Sequence, residues 1–137
     1  MNNLIPGVIQ FEGYRLIDAQ YHCNAGFEFS SLEDGDMKFN FSKSHMSLSD
    51  NRMQLNLRGC VFYSNSEEYD SAPYKISVEI AGIFSSDTEF DKKWENNALA
   101  ILFPYVRSII SCLTSQSGRS TIVLPTVNIV KMFEEVE

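Results

Sequence analysis

Up to residue 86 the chain reads as strands separated by turns. Residues 13–24 place Arg15, Ile17, Ala19, Tyr21 and Cys23 on one face, with Tyr14, Leu16, Asp18, Gln20, His22 and Asn24 on the other. The connection 24–36 is too long for a tight hairpin and carries Phe27, Phe29 and Leu32, unusual side chains for a solvated loop. Alternation resumes over 36–49, with Met37, Phe39 and Phe41 set against Lys38, Asn40 and Ser42. A Ser49-Asp50-Asn51 turn leads into 52–65, where Met53, Leu55, Leu57, Val61 and Tyr63 oppose Arg52, Gln54, Asn56 and Arg58. Gly59 inside that run predicts a bulge. After a polar, acidic loop, 74–86 is the most regular strand: Tyr74, Ile76, Val78, Ile80, Gly82 and Phe84 against Lys75, Ser77 and Glu79.

The pattern then changes period. In 97–118 the first ten residues hold one polar side chain, Asn97, and Val106, Ile109, Ile110 and Leu113 follow helical spacing. Pro104 predicts either a kink near Ala100 or a new helix that opens on the proline. The stretch 98–106 is apolar nearly all round, more than one small domain easily covers. A second subunit or a ligand is therefore expected to cover it, and Leu99, Leu102, Phe103, Val106, Ile109 and Ile110 are expected at an oligomer interface. The segment is read as too short and interrupted for a membrane span, which needs about 20 apolar residues. A short amphipathic helix is expected over 128–137, with Asn128 as N-cap.

Strands two to four form a meander, and the long first connection returns strand one beside strand four. One sheet face then needs a cover, and the long helix is the large apolar candidate. The fold class is α+β: a four-stranded antiparallel sheet with a long helix and a short C-terminal helix on one face, expected as a single domain over 1–137.

Charge and composition narrow the function. The net charge of −7 argues against nucleic acid, whose binding needs clustered Lys and Arg. No basic residue or long apolar run opens the chain, so no signal peptide is expected. Cys23, Cys60 and Cys112 are odd in number and widely spaced, which predicts buried, reduced thiols in a cytoplasmic protein. His22 and Cys23 are strand neighbours that point to opposite faces, His45 is solitary, and no metal-ligand spacing, phosphate loop or nucleophile motif is present. The residues alone predict a non-enzymatic oligomer without cofactor or metal and with spare apolar surface.

Three motifs add a resemblance. The run from Asn97 through Leu102-Phe103-Pro104-Tyr105-Val106-Arg107 to Ser111 resembles the N-x-L-F-P-Y-A-R segment of SecB, the protein-export chaperone. Ala81-Gly82-Ile83-Phe84 is similar to the end of that family's fourth strand, and Leu124-Pro125-Thr126-Val127-Asn128 to the segment before its last helix. Phe11 and Arg15 fit the first strand more loosely. The resemblance implies a Greek-key sheet with two packed helices. It implies a homotetramer, a dimer of dimers, with the long helices between two eight-stranded sheets. It also implies an ATP-independent holdase that binds unfolded polypeptide along apolar grooves. By the family pattern Tyr74 and Tyr105 line the aromatic part of that groove, with Phe27, Phe29 and Leu32 of the crossover as further client-binding residues. The family's Trp in that crossover is missing here, where Leu32-Glu33 stands.

Within the family two roles follow: preprotein export through the motor SecA, or protection of a particular client such as an antitoxin. SecB binds SecA's basic tail through carboxylates on the outer face of strands one and four. Gln20, Asn24 and Ser77 occupy those carboxylate positions here, and Lys75 replaces an apolar neighbour, which makes SecA docking doubtful. Asp18 and Glu79 lie nearby and are expected to compensate in part. The rival outside the family is a hotdog-like thioesterase or lipid-binding oligomer. That fold carries its helix early in the chain, whereas this helix follows all the strands.

Overall fold

The computed structural model describes residues 9–23, 36–64, 74–87, 90, 92–116, 124 and 128–136. Four strands, β1 (Gln10–Cys23), β2 (Asp36–Ser49), β3 (Arg52–Ser64) and β4 (Tyr74–Ser85), are followed by helices α1 (Lys92–Ser115) and α2 (Ile129–Val136). All strand pairs are antiparallel, in the order β1-β4-β3-β2, so the long first connection crosses over to lay β1 beside β4. This is the α+β Greek-key arrangement expected.

Opposed residues on paired strands share a face, so the register sorts every side chain. Leu55, Leu57 and Val61 of β3 and Ile76, Val78, Ile80 and Phe84 of β4 lie inward and are buried. Their cover is α1, through Ala98, Leu99, Leu102, Phe103, Val106 and Ile110. Two glycines let the helix come close. A Cβ on Gly59 would stand 2.8 Å from Phe41 Cε1 and 2.9 Å from Val106 Cγ1. One on Gly82 would stand 2.6 Å from Leu102 Cδ2. Gly59 is thus not a bulge; it pairs regularly with Phe41 and Val78.

The helix differs from expectation in three ways. It begins at Lys92, not Asn97, and runs unbroken with Pro104 inside it. By length and composition it would pass for a membrane span over Lys93–Ser115, contrary to the reading from 97 onward. What speaks for a core helix is the side chains it buries against the chain's own sheet. Finally, Leu99, Leu102, Phe103, Val106 and Ile110, assigned to an oligomer interface, are buried within the single chain, and Ile109 is half-buried against the same core. A fully buried side chain has no surface to offer a second copy. The helix's open side carries Ala100, Pro104, Tyr105, Ser108 and Cys112.

The C-terminal helix is capped as its sequence predicts: the Lys131 amide donates to Asn128 Oδ1 at 3.0 Å. No cysteine is in a disulfide, but the thiols are less buried than expected: Cys23 and Cys60 are half-buried and Cys112 is exposed.

The close approach at Gly59 is testable. Val106 is β-branched on a helix and has little rotameric freedom to retreat. Gly59→Ala is expected to destabilise the fold by about 1–3 kcal/mol in urea titration, the usual cost of overpacking. A variant as stable as the parent would show that the helix does not seat there.

Candidate functional site

The strand expected to alternate simply does not. β1 changes register between Phe11 and Gly13 and again between Leu16 and Asp18. Each bulge inserts a residue and reverses the faces that follow. Phe11, Tyr14, Leu16, Ala19, Tyr21 and Cys23 oppose inward residues of β4, whereas Arg15, Asp18, Gln20 and His22 oppose outward ones. Tyr14 and Leu16, read from sequence as belonging with Asp18, lie on the helix side. The one local signal was Gly13 within the strand, which adopts φ 128°, a value side-chain-bearing residues rarely reach.

The helix runs over the central strands and leaves the inner face of β1 largely uncovered. Tyr14 is 38% exposed, Leu16 53% and Ile17 53%. Tyr105 projects from the open side of α1, 37% exposed, and meets Tyr14. Its ring lies 4.5 Å from Tyr14 and 5.8 Å from Phe11, centroid to centroid, and Phe11 leans on buried Phe84 at 5.3 Å. The tilted geometry suits aromatic pairs and keeps both phenols at the surface. The result is an apolar, aromatic edge bounded by α1 on one side.

Of the residues singled out from sequence, Tyr105 is at this edge. Tyr74 is in β4 opposite Cys23 and Tyr63, eight residues from Gly82, the partner of Tyr14. At the usual strand rise the two backbone positions are roughly 26 Å apart. Phe27, Phe29 and Leu32 lie outside the described residues. Tyr14, Phe11 and Leu16 were missed because the bulges hid their face.

The outer sheet face is polar and centred on Arg58. Its guanidinium donates to Glu79 Oε1 at 3.0 Å, to Asp18 Oδ2 at 3.3 Å and to the Ser77 hydroxyl. Partial burial works against the Arg58 charge, but Glu79 and then Asp18 more than offset it, and its pKa is raised. Asn56 Nδ2 donates to the other Glu79 oxygen at 3.0 Å. Gln20 and Ser77 face each other, and Lys75 faces His22. Asp18 and Glu79, the two carboxylates expected to compensate for lost acidity, are thus held by an arginine.

At the opposite edge, β2 turns Lys43 and His45 inward. Both reach Glu95 in the first turn of α1, His45 Nδ1 at 3.1 Å. The Lys43 ammonium lies 4.8 Å from the Phe133 ring centroid in α2, and His45 packs edge-on to Trp94 at 5.5 Å. Among the described residues no group of three His, Cys, Asp or Glu is placed to hold a metal.

Comparison with known proteins bears on this architecture. An uncharacterised protein of Methanocaldococcus jannaschii, MJ0357, is 35% identical over 75 residues, an alignment covering 52% of this chain and 48% of that protein. The chain thus spans about half the length of the curated relative it matches. Among solved structures, the SecB-like chaperone Rv1957 of Mycobacterium tuberculosis, in complex with a ChAD peptide from the antitoxin Rv1956 HigA1, shares the fold. Its TM-score is 0.64 at 11% identity, over 88% of this chain and 91% of that one. A Streptococcus agalactiae protein of unknown function has a TM-score of 0.53 at 15% identity, covering 86% of this chain and 97% of its own. The model of the preprotein translocase subunit SecB matches residues 21–137, and with that span of the sequence accounted for, this chain belongs to the SecB family.

Proposed function

We propose that this protein is an ATP-independent holdase that binds non-native polypeptide and guards a particular client, such as an antitoxin, and that it takes little part in export through SecA. The observation that carries the reading is the exposed apolar edge of Tyr14, Leu16 and Tyr105, seated on half-buried Phe11, in a SecB-family fold. Aromatics present large apolar area at low entropic cost and bind unfolded segments without demanding one sequence. The related fold solved with an antitoxin peptide supports a client of that class. The reading includes a cytoplasmic homotetramer without cofactor or enzymatic activity, and it assigns Tyr74, Phe27, Phe29 and Leu32 to the far end of the client path. An extended segment that touches both Tyr105 and Tyr74 of one chain needs about eight residues to do so.

An open sheet edge supports the oligomeric part of this reading. β1 is an edge strand, and a second copy docked along its backbone and Ile17 would leave Tyr14 and Tyr105 to the client. Light scattering on a size-exclusion column is expected to give a tetramer. A monomer persisting at micromolar concentration would contradict it.

Client binding is expected to depend on the aromatic edge. Tyr105→Ala and Tyr14→Ala should each weaken suppression of client aggregation by about 2 kcal/mol of binding where they act as hot spots, with ATP making no difference. Both side chains are more than a third exposed, so the fold should survive. Variants that protect an unfolded client as well as the parent would remove the edge from the site.

The Arg58 network argues against SecA. A basic tail needs free carboxylates within the roughly 8 Å reach of charge at physiological salt. Here Asp18 and Glu79 are engaged and Gln20 and Ser77 are neutral. Calorimetry with a SecA tail peptide at about 0.15 M salt should show weak or no binding, and Arg58→Ala, which releases both carboxylates, should strengthen it. Tight binding by the parent protein would restore the export role.

A further inference from the structure

On a regular strand, residues three apart point to opposite faces. Phe11 and Tyr14 are three apart, yet both lie on the inner face and both rings meet Tyr105, at 5.8 and 4.5 Å. The first bulge of β1 brings them together. Phe11 is opposite Phe84 and Gly13 is opposite Ile83, consecutive residues of β4, and Glu12 is left over between them. The Glu12 carboxylate accepts from Arg52 at 3.2 and 3.4 Å, and Arg52 lies opposite Ser85, an outward residue. Gly13 absorbs the reversal with a φ of 128°. A Cβ on it would meet no atom within 4 Å, so glycine is needed there for its backbone conformation and not for space.

From these observations, and resting on the client-binding reading above, we infer that Gly13 is a positioning residue of the client site: the bulge it permits sets Phe11 and Tyr14 side by side against Tyr105 and keeps the Glu12 carboxylate out of the site. The register of β4 shows what a regular strand would do instead. With Tyr14 kept opposite Gly82, Gly13 stays opposite Ile83 and Glu12 moves opposite Phe84. Phe11 moves opposite Ser85, onto the outer face. A carboxylate then stands where the Phe11 ring now bridges Phe84 and Tyr105, at 5.3 and 5.8 Å. That charge must be stripped of water when an apolar client segment docks, and the contact area of the ring is lost. Any side-chain-bearing residue at this φ strains the bulge and favours the regular strand.

The test is the affinity for a fluorescently labelled unfolded client. Gly13→Ala should weaken it about tenfold or more. Removing the extra residue supplies the rescue. Deletion of Glu12 leaves Phe11 opposite Phe84 and Gly13 opposite Ile83 with nothing between them, so the faces are kept without a bulge. Deleting Glu12 from the Gly13→Ala protein should therefore restore affinity to within about twofold of the parent. The Glu12–Arg52 pair is lost in the process, but its side chains are 35% and 50% exposed, and such pairs contribute little. An alanine that merely crowded or loosened the strand would not be rescued by shortening it. Should Gly13→Ala alone fold poorly, the two proteins that lack Glu12, with and without Gly13→Ala, are compared with each other, and they should bind client equally. A Gly13→Ala protein that binds as the parent does, a deletion that brings no rescue, or a loss when Gly13→Ala is added to the shortened chain would each overturn the positioning role. Tyr14→Ala and Tyr105→Ala proteins that protect client as the parent does would overturn the site reading on which it rests.

Discussion

The structure depends on how deeply α1 sinks into the sheet. Gly59 and Gly82 sit one on each central strand, and neither has space for a Cβ beside Val106 or Leu102. Because the helix can approach there, Leu99, Leu102, Val106 and Ile110 are spent on β3 and β4, and those two strands are sealed on the inner face. The same placement leaves β1 uncovered. Toward it the helix sends Tyr105, and that ring stands on Phe11 and Tyr14 instead of entering the core. The close packing at the centre and the open aromatic edge are therefore two results of one geometry.

Much of this was legible in the residues, and the exceptions have physical causes. β2, β3 and β4 alternate strictly because each has a regular partner along nearly its whole length, so a period-two reading sorted their faces. β1 defeated that reading through two bulges, each of which shifts the period by one residue. A conformationally unusual glycine marked the first, and the second, between Leu16 and Asp18, has no marker in residue type. In the helix, counting apolar residues showed that α1 carries more than one apolar face, but not which face the sheet takes. The sheet takes the large side chains, and the open side is left with Ala100 and Pro104. The family motif located Tyr105, while its partners on β1 emerge only when register is known.

The sheet's two ends pose the same problem of unpaired backbone groups and answer it in opposite ways. An inward-facing lysine on β2 needs a countercharge to be tolerated near the core, and Glu95, which also lies 3.1 Å from His45 Nδ1, supplies it from the first turn of α1, where a carboxylate suits the helix dipole. Another strand added beside β2 would crowd these groups, although Met46 and Leu48 of the same strand are exposed. On β1 the exposed side chains are mostly apolar or singly charged, and the backbone twist at two bulges limits pairing to partners that match it.

The outer face shows why a chain's total charge is a poor guide to its partners. The chain carries −7 overall, yet on its outer face the two carboxylates of β1 and β4 share one arginine. Replacement of charges on a solvated face is cheap, because each side chain touches water and a few neighbours, and exposed ion pairs contribute little to stability. Replacement on the inner face is not, because each residue there is fixed by the helix and by the strands beside it. An outer face can thus change its charge at less cost than the sheet and helix beneath it. On the outer face of this chain Arg58 holds both carboxylates, and Gln20, Ser77 and Lys75 beside them add no negative charge.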